Sequence, residues 1–318
     1  MPMLQLIEQA SRFLKGKVRK TPVEHSPALS KLLGVPVYLK LESLQITGSF
    51  KLRGAMFYLS TLSKEDKKNG IAACSAGNHG LGCAYAAKEL GVPCTVFVPK
   101  NVDQAKYEKM LQLGATVRKS DFIGYDDTLA WAKKAASEEH LLLISAFDDE
   151  KIMAGNGGSL AAEVLEEVPD AVNFILPVGG GGLMGGFSYY MKAKKHETRM
   201  IACQHEQSPA LKLSLESGKA VTEIPGIETA AGGIEGGLGE HCFEILKSRI
   251  DEVALTSEEE IKKGFCWMLE NHQYLIEPTA AVVLGCALFG KIKKLQGPTV
   301  IVLTGRNVGF ATIKSLLR

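Results

Sequence analysis

Phe174-Ile175-Leu176-Pro177-Val178-Gly179-Gly180-Gly181-Gly182-Leu183 joins an apolar run to four consecutive glycines and then to a segment with helical character. A short continuous apolar run that ends in glycine reads as a strand covered on both faces, which is the habit of parallel sheets. The strand is expected over Val172–Val178. Consecutive glycines let several main-chain N–H groups converge on one anion, and a helix start just beyond adds its partial positive charge. A phosphate group suits such a cradle. The bland alternative is a flexible turn, although four glycines are costly in chain entropy. The same residues contain Gly180-x-Gly182-x-x-Gly185, a dinucleotide fingerprint. That motif also needs an acidic residue at the end of the next strand, about 20 residues on. Gln204 holds that place, with Glu206 nearby, and no Walker lysine follows the glycines.

Working outward, further strands are expected at Val37–Leu41, Gly70–Ala73, Cys94–Pro99, Thr116–Arg118, Leu141–Ser145, Met200–Gln204 and Thr299–Thr304. Helical patterns fall between them, among them Leu81–Leu90, Glu150–Val168 and Ser257–Glu270. Residues 1–20 read as an amphipathic helix with Leu4, Ile7, Ala10 and Phe13 on one face. Alternating strands and helices predict an α/β fold, with parallel-rich twisted sheets and helices on both faces. Ligands of such sheets bind beyond the carboxyl ends of strands, near helix starts.

Composition narrows the function classes. With 37 basic against 35 acidic residues, the net charge of +2 gives no electrostatic case for nucleic acid or an anionic membrane. No apolar run reaches about 18 residues, so no membrane span is expected. The seven cysteines form no Cys-x-x-Cys pair and read as reduced, mostly buried thiols of a cytoplasmic protein. Neither a cleavable leader nor, beyond Arg318, an appended regulatory domain is expected.

Three more segments sit at expected strand-to-helix junctions or just before a helix: Thr47-Gly48-Ser49-Phe50-Lys51-Leu52-Arg53-Gly54, Cys74-Ser75-Ala76-Gly77-Asn78-His79-Gly80, and Leu303-Thr304-Gly305-Arg306-Asn307. Lys51 stands among small and apolar neighbours. A desolvated lysine has a lowered pKa and can form a Schiff base; the plain alternative is a solvated surface residue, and Ser49-x-Lys51 also matches a hydrolase dyad. The N–H groups of Ser75–Gly80 can hold a carboxylate, or the segment is simply the cap of the next helix. His79 has no nearby histidine with which to form a zinc pattern.

Taken together, Gly48-Ser49-Phe50-Lys51-x-Arg53-Gly54, Ser75-Ala76-Gly77-Asn78-His79-Gly80, Phe147-Asp148-Asp149, Gly179 to Gly182 and Glu277-Pro278-Thr279 resemble the fold-type II pyridoxal-phosphate enzymes. Within these, the chain is similar to the serine/threonine dehydratase (ammonia-lyase) and serine racemase group. The resemblance implies a two-lobed, tryptophan synthase β-like fold. A large cofactor-binding domain would comprise residues 1–52 and 140–318, and a smaller substrate-side domain residues 53–139. It implies pyridoxal 5'-phosphate as cofactor and a small β-hydroxy amino acid as substrate, in a homodimer.

The same resemblance assigns roles. Lys51 would carry the Schiff base and later move the α-proton. Phe50 would pack beside the cofactor ring, Asn78 would bond the ring hydroxyl, and Thr304 would face the ring nitrogen. Gly179, Gly180, Gly181, Gly182 and Leu183 would hold the phosphate, which in turn is implied as the acid for the leaving hydroxyl. Ser75, Ala76, Asn78 and His79 would surround the substrate carboxylate, and Glu277 would lie near the ring. Thr304 is a neutral hydroxyl, so the ring nitrogen lacks a charged partner and the electron sink is weaker, which favours prompt β-elimination over transamination.

Racemisation needs acid–base groups on both faces. The racemases resembled carry a serine where Ala76 stands, so dehydration and deamination of L-threonine or L-serine is the expected reaction. Serine racemase, a 3-hydroxyaspartate dehydratase and a non-catalytic cofactor carrier are the alternatives. Arg306 replaces a glycine common in relatives; it could contact a charged substrate side chain, and the plainer expectation is that it points away. Gln204 and Ala210 fall where some relatives place acidic metal ligands, so no metal site is expected.

Overall fold

Period-two alternation along the central strands sets out the architecture. The computed structural model describes residues 2–195 and 197–317. Its ten strands are β1 (Val23–His25), β2 (Val37–Lys40), β3 (Ile71–Cys74), β4 (Cys94–Val98), β5 (Thr116–Lys119), β6 (Leu142–Leu143), β7 (Asn173–Pro177), β8 (Arg199–His205), β9 (Glu252–Thr256) and β10 (Thr299–Val302). They form a six-stranded sheet, β1-β2-β10-β7-β8-β9, and a four-stranded sheet, β5-β4-β3-β6. All pairings are parallel except the edge pair β1–β2.

Phe174 and Leu176 of β7, Met200 and Ala202 of β8, and Val300 and Val302 of β10 point into one apolar cluster. Their alternates Ile175, Ile201 and Ile301 point into a second cluster on the opposite face. In the smaller sheet Ile71, Ala73, Val96 and Val98 join the first of these clusters. Ala72, Cys74 and Phe97 pack outward, where Phe97 meets Trp131 edge-on with ring centroids 4.9 Å apart. One apolar body therefore lies between the two sheets and is shared by both.

Several expectations are corrected. The first helix is Met3–Leu14, and its buried face is Met3, Leu6, Ile7, Ala10 and Leu14; Leu4 and Phe13 flank it. The strand at Leu141–Ser145 shortens to Leu142–Leu143, and because it pairs with β3 the four-stranded sheet runs past residue 139. β1 and β9 were not expected: one has three residues, and the other is a half-buried edge strand. The helix expected over Glu150–Val168 is broken by a π-turn at Ala154–Gly158 between Glu150–Met153 and Ser159–Glu167. The helix at Glu258–His272 starts on a Ser257–Glu260 capping box, two reciprocal bonds that fix its first turn.

Candidate active site

Lys51 is the first residue of the helix Lys51–Ser60. Its Nζ donates to Ala146 O at 2.6 Å, and burial pushes the amine down to about 8, against the opposing pull of nearby groups including Glu277. The Phe50 ring lies beside it, centroid 5.3 Å from Nζ. Two residues on, Arg53 turns the other way and is fully buried. It grips Glu42 through Nε and NH2, both at 2.8 Å, and Glu163 at 2.7 and 2.8 Å. Lys40, also fully buried, bonds Glu163 and Glu167 at 3.0 Å and Thr21 O at 2.7 Å. Charges of both signs with their hydrogen bonds filled are costly to separate, so this cluster fixes the first turn that carries Lys51.

The tetraglycine lies next to the lysine through two consecutive residues. Ala146 takes the Lys51 bond, and the ring of Phe147 fills the space where a Gly180 Cβ would stand. A Cβ on Gly182 would meet Phe147 O at 2.7 Å and one on Gly181 would meet Cys242 Cβ at 2.8 Å, while Gly181 has a φ of +95°. A Cβ on any of these residues would crowd a neighbour. The helix Gly182–Lys194 starts at the last of them. Among the described residues, the main-chain N–H groups of Gly179 to Leu183 find no internal acceptor. Orphan donors at a helix start are what a phosphate binds.

Across the cleft, the helix Asn78–Leu90 follows β3 and the loop of Ser75 to Gly77. The Ser75 hydroxyl accepts from Gly77 N at 3.1 Å, while the N–H groups of Ala76, Asn78 and His79 have no acceptor among the described residues. The His79 side chain is turned into the core, with Nε2 3.3 Å from Ile144 O, and burial pushes it down to about 3. It is a neutral packing group, so only its N–H is available at the mouth. The Asn78 carboxamide donates to both oxygens of Glu277 at 2.7 and 3.0 Å and accepts from Asn307 Nδ2 at 2.7 Å. Burial pushes the Glu277 carboxyl up to about 7. Behind this group, Thr304 Oγ1 is buried without a hydrogen-bond partner, as are the hydroxyls of Thr47 and Ser49, and Ser49 bridges Gly305.

A buried amine, an anion cradle of crowded glycines and a buried hydroxyl without a partner among the described residues fit an aldehyde-bearing, phosphorylated aromatic cofactor. Residues 14–305 match the family described as pyridoxal-phosphate dependent enzyme. The chain belongs to the pyridoxal-phosphate dependent enzyme family. Pyridoxal 5'-phosphate is its cofactor. An L-threonine ammonia-lyase of Geobacter sulfurreducens is 38% identical over 309 residues, 97% of this chain and 76% of that protein. The processed form of threonine deaminase isoform 2 from Solanum lycopersicum superposes with a TM-score of 0.90 at 27% identity, covering 99% of this chain and 92% of that one. The serine racemase of Dictyostelium discoideum does so with a TM-score of 0.88 at 31% identity, covering 96% and 99%. The fold is that of the fold-type II enzymes of the serine/threonine dehydratase group.

Three features of this cleft were not expected. Phe147 closes over Gly180 and Gly182. Asn307 bonds Asn78 and Thr47 O. The π-turn packs on both cofactor-side helices: Asn156 Oδ1 accepts from Gly54 N at 2.8 Å, and a Cβ on Gly157 would overlap Leu183 O. Phe147 and Asn307 lie in segments that the sequence marks without giving them these contacts, and the signal of the π-turn is the second glycine cluster at residues 155–158. Arg306 is exposed. Gln204 donates to Val178 O at 3.2 Å and accepts from Lys212 N at 3.1 Å, and Ala210 starts the next helix.

Proposed function

We propose that this protein removes water and then ammonia from L-threonine, and from L-serine, giving the 2-oxo acid. The observation that carries the reading is the buried, depressed amine of Lys51 held beside the tetraglycine by Ala146 and Phe147. The threonine ammonia-lyase and threonine deaminase relatives support the choice of substrate.

Bound pyridoxal 5'-phosphate supplies an electron sink for charge developing at the substrate Cα. Lys51 would be its attachment point, and Nζ would take the α-proton, because a buried amine with its pKa lowered to about 8 is mostly neutral above that pH and can act as a base. The N–H groups of Gly179 to Leu183 hold the phosphate. Those of Ala76, Asn78 and His79, with Ser75, hold the substrate carboxylate at the start of their helix. Phe50 would pack on the ring, and Asn78 and Thr304 would meet its polar edge. Loss of the β-hydroxyl as water leaves an enamine, which tautomerises to an imine; water then adds and ammonia leaves, so each amino acid gives one 2-oxo acid and one ammonia, the water released in the first stage balancing the water taken up in the last. Ala76 offers no proton donor, so turnover should produce little D-isomer.

The two sheets support a division into two lobes, the smaller from residue 53 to the end of β6 near residue 143. Seven cysteines with no Cys-x-x-Cys pair, six of them buried, support a reducing, cytoplasmic setting. A homodimer is proposed from the family resemblance, and sedimentation tests it.

The deciding assay supplies pyridoxal 5'-phosphate with L-threonine or, separately, L-serine, and measures 2-oxobutanoate or pyruvate, ammonia and D-isomer. Ammonia and 2-oxobutanoate are expected in equal amounts. Lys51→Ala should cost at least about 10²- to 10⁴-fold in turnover and remove the visible absorbance of the bound cofactor. Turnover retained in that variant overturns the assignment, and D-serine formed as fast as pyruvate turns the reading to racemase.

A further inference from the structure

We infer that Asn307 is a positioning residue that fixes which end of the Asn78 carboxamide points to Glu277, and so presents an N–H, not a carbonyl, on the cofactor side. This rests on the reading of Asn78 as a cofactor-facing residue. A carboxamide has two ends of nearly equal shape and opposite hydrogen-bonding sense, so its neighbours must choose its orientation. Here they do so without ambiguity. Thr47 O is a main-chain carbonyl and can only accept, which identifies the Asn307 atom 2.8 Å from it as the amide nitrogen. That nitrogen is also 2.7 Å from Asn78, so the Asn78 atom facing it is the oxygen. The Asn78 nitrogen then falls at 2.7 and 3.0 Å from the two Glu277 oxygens. A reversed Asn78 would set oxygen against carboxylate and NH2 against NH2.

Space is reserved for this arrangement. Gly48 has a φ of +79°, and a Cβ there would meet Asn307 Oδ1 at 2.6 Å; a Cβ on Gly305 would meet Glu277 Oε1 at 2.5 Å. Thr47, Glu277 and Asn307 sit on segments that border the six-stranded sheet, whereas Asn78 starts the helix that follows β3 of the other. The clasp therefore spans the cleft.

Glu277 alone would be a poor guide. Its carboxyl, raised to about 7 by burial, is faced by Lys106 from the helix Gln104–Gln112, by Lys51, by Asn78 and by the main chain of Asn307. Once protonated it can donate as well as accept, and it then tolerates either orientation of Asn78. Asn307 does not titrate and holds one orientation at every pH.

The test uses holoenzyme and three variants, Asn78→Ala, Asn307→Ala and Glu277→Gln. The readouts are the cofactor dissociation constant, from titrating each apoenzyme with pyridoxal 5'-phosphate, and the absorbance band of the bound cofactor from pH 6 to 9. Wild type should hold its band across this range. Asn307→Ala should keep a near-wild-type band at pH 9. As pH falls through about 7 it should lose it, with affinity down about tenfold, roughly the worth of one hydrogen bond. Glu277→Gln retains Asn307 and should keep the wild-type band throughout. A flat wild-type band in Asn307→Ala, or a lost band in Glu277→Gln, overturns the inference. An Asn78→Ala enzyme with unchanged band and affinity overturns instead the reading of Asn78 on which it rests.

Discussion

Gly179 to Gly182 and Gly155 to Gly158 are both glycine-rich, and both lie against the helix Gly182–Lys194. In the first segment the glycines leave main-chain N–H groups unpaired at a helix start. In the second they are helical, and their missing side chains let backbone touch backbone. A Cβ on Gly157 would overlap Leu183 O, and one on Gly186 would overlap Met153 O. A Cβ on Gly155 would come within 2.7 Å of Gly54 Cα. One cluster exposes the main chain to a ligand, and the other packs the Lys51 helix and the phosphate-side helix onto a common π-turn. Glycine density in a sequence does not distinguish these uses; what surrounds each absent side chain does.

Substitution separates them most sharply at Gly157. Its alanine variant pushes a methyl into the main chain of the neighbouring helix, which cannot move aside as a side chain can. A loss of about 3 kcal/mol or more is expected, read as a large drop in the thermal midpoint of the apoenzyme. A midpoint within a few degrees of wild type would mean that the π-turn is not the weld described above.

The cradle side is read by the kinetics of cofactor attachment. The neutral amine is the nucleophile, and Lys51 has its pKa lowered from 10.5 to about 8. A lowered lysine is neutral above about 8, so attachment should speed up about tenfold per pH unit from pH 6 toward 8 and level off above it. A rate that keeps climbing to pH 10 would place the reacting lysine in water.

Gly180→Ala comes next. Its methyl meets the Phe147 ring, a side chain that can shift. Cofactor affinity should fall about tenfold through the disturbed cradle, with a thermal midpoint nearly unchanged, the reverse of the Gly157 pattern. A variant that loses stability and keeps affinity would erase the contrast between the two segments. Gly226 supplies the baseline: it is exposed, with nothing within 4 Å of an added Cβ. Its alanine variant should stay within about 0.5 kcal/mol of wild type.

The sequence reveals the cofactor-facing half of this comparison and hides the packing half. Tetraglycine after an apolar strand, Lys51 among small residues and the Ser75 to Gly80 loop are local signals, each carried by adjacent residues. The central strands were legible because both their faces are buried. The π-turn was not, since Ala154 to Gly158 has neither apolar period nor turn chemistry of its own, and its meaning lies in Gly54, Leu183 and Gly186. Asn307 closes a segment that the sequence does mark, but its role is not legible there, because its partners Thr47 and Asn78 are 260 and 229 residues away. Phe147 belongs to a motif that was read, but its place over Gly180 comes from the fold. His79 shows the converse: its motif points to the substrate, but its side chain is turned into the core and only its N–H faces the mouth of the cleft.

The apolar body shared by the inner faces of both sheets bears on how the chain folds. Ile71, Val96, Phe174 and Val300, drawn from both sheets, belong to one cluster. Neither sheet can complete its core without the other. The smaller sheet, if excised, would expose the inner face of β3 and β4 to water. Heating should therefore melt both sheets in one calorimetric transition, so that the cleft, its lysine and its cradle are gained and lost together.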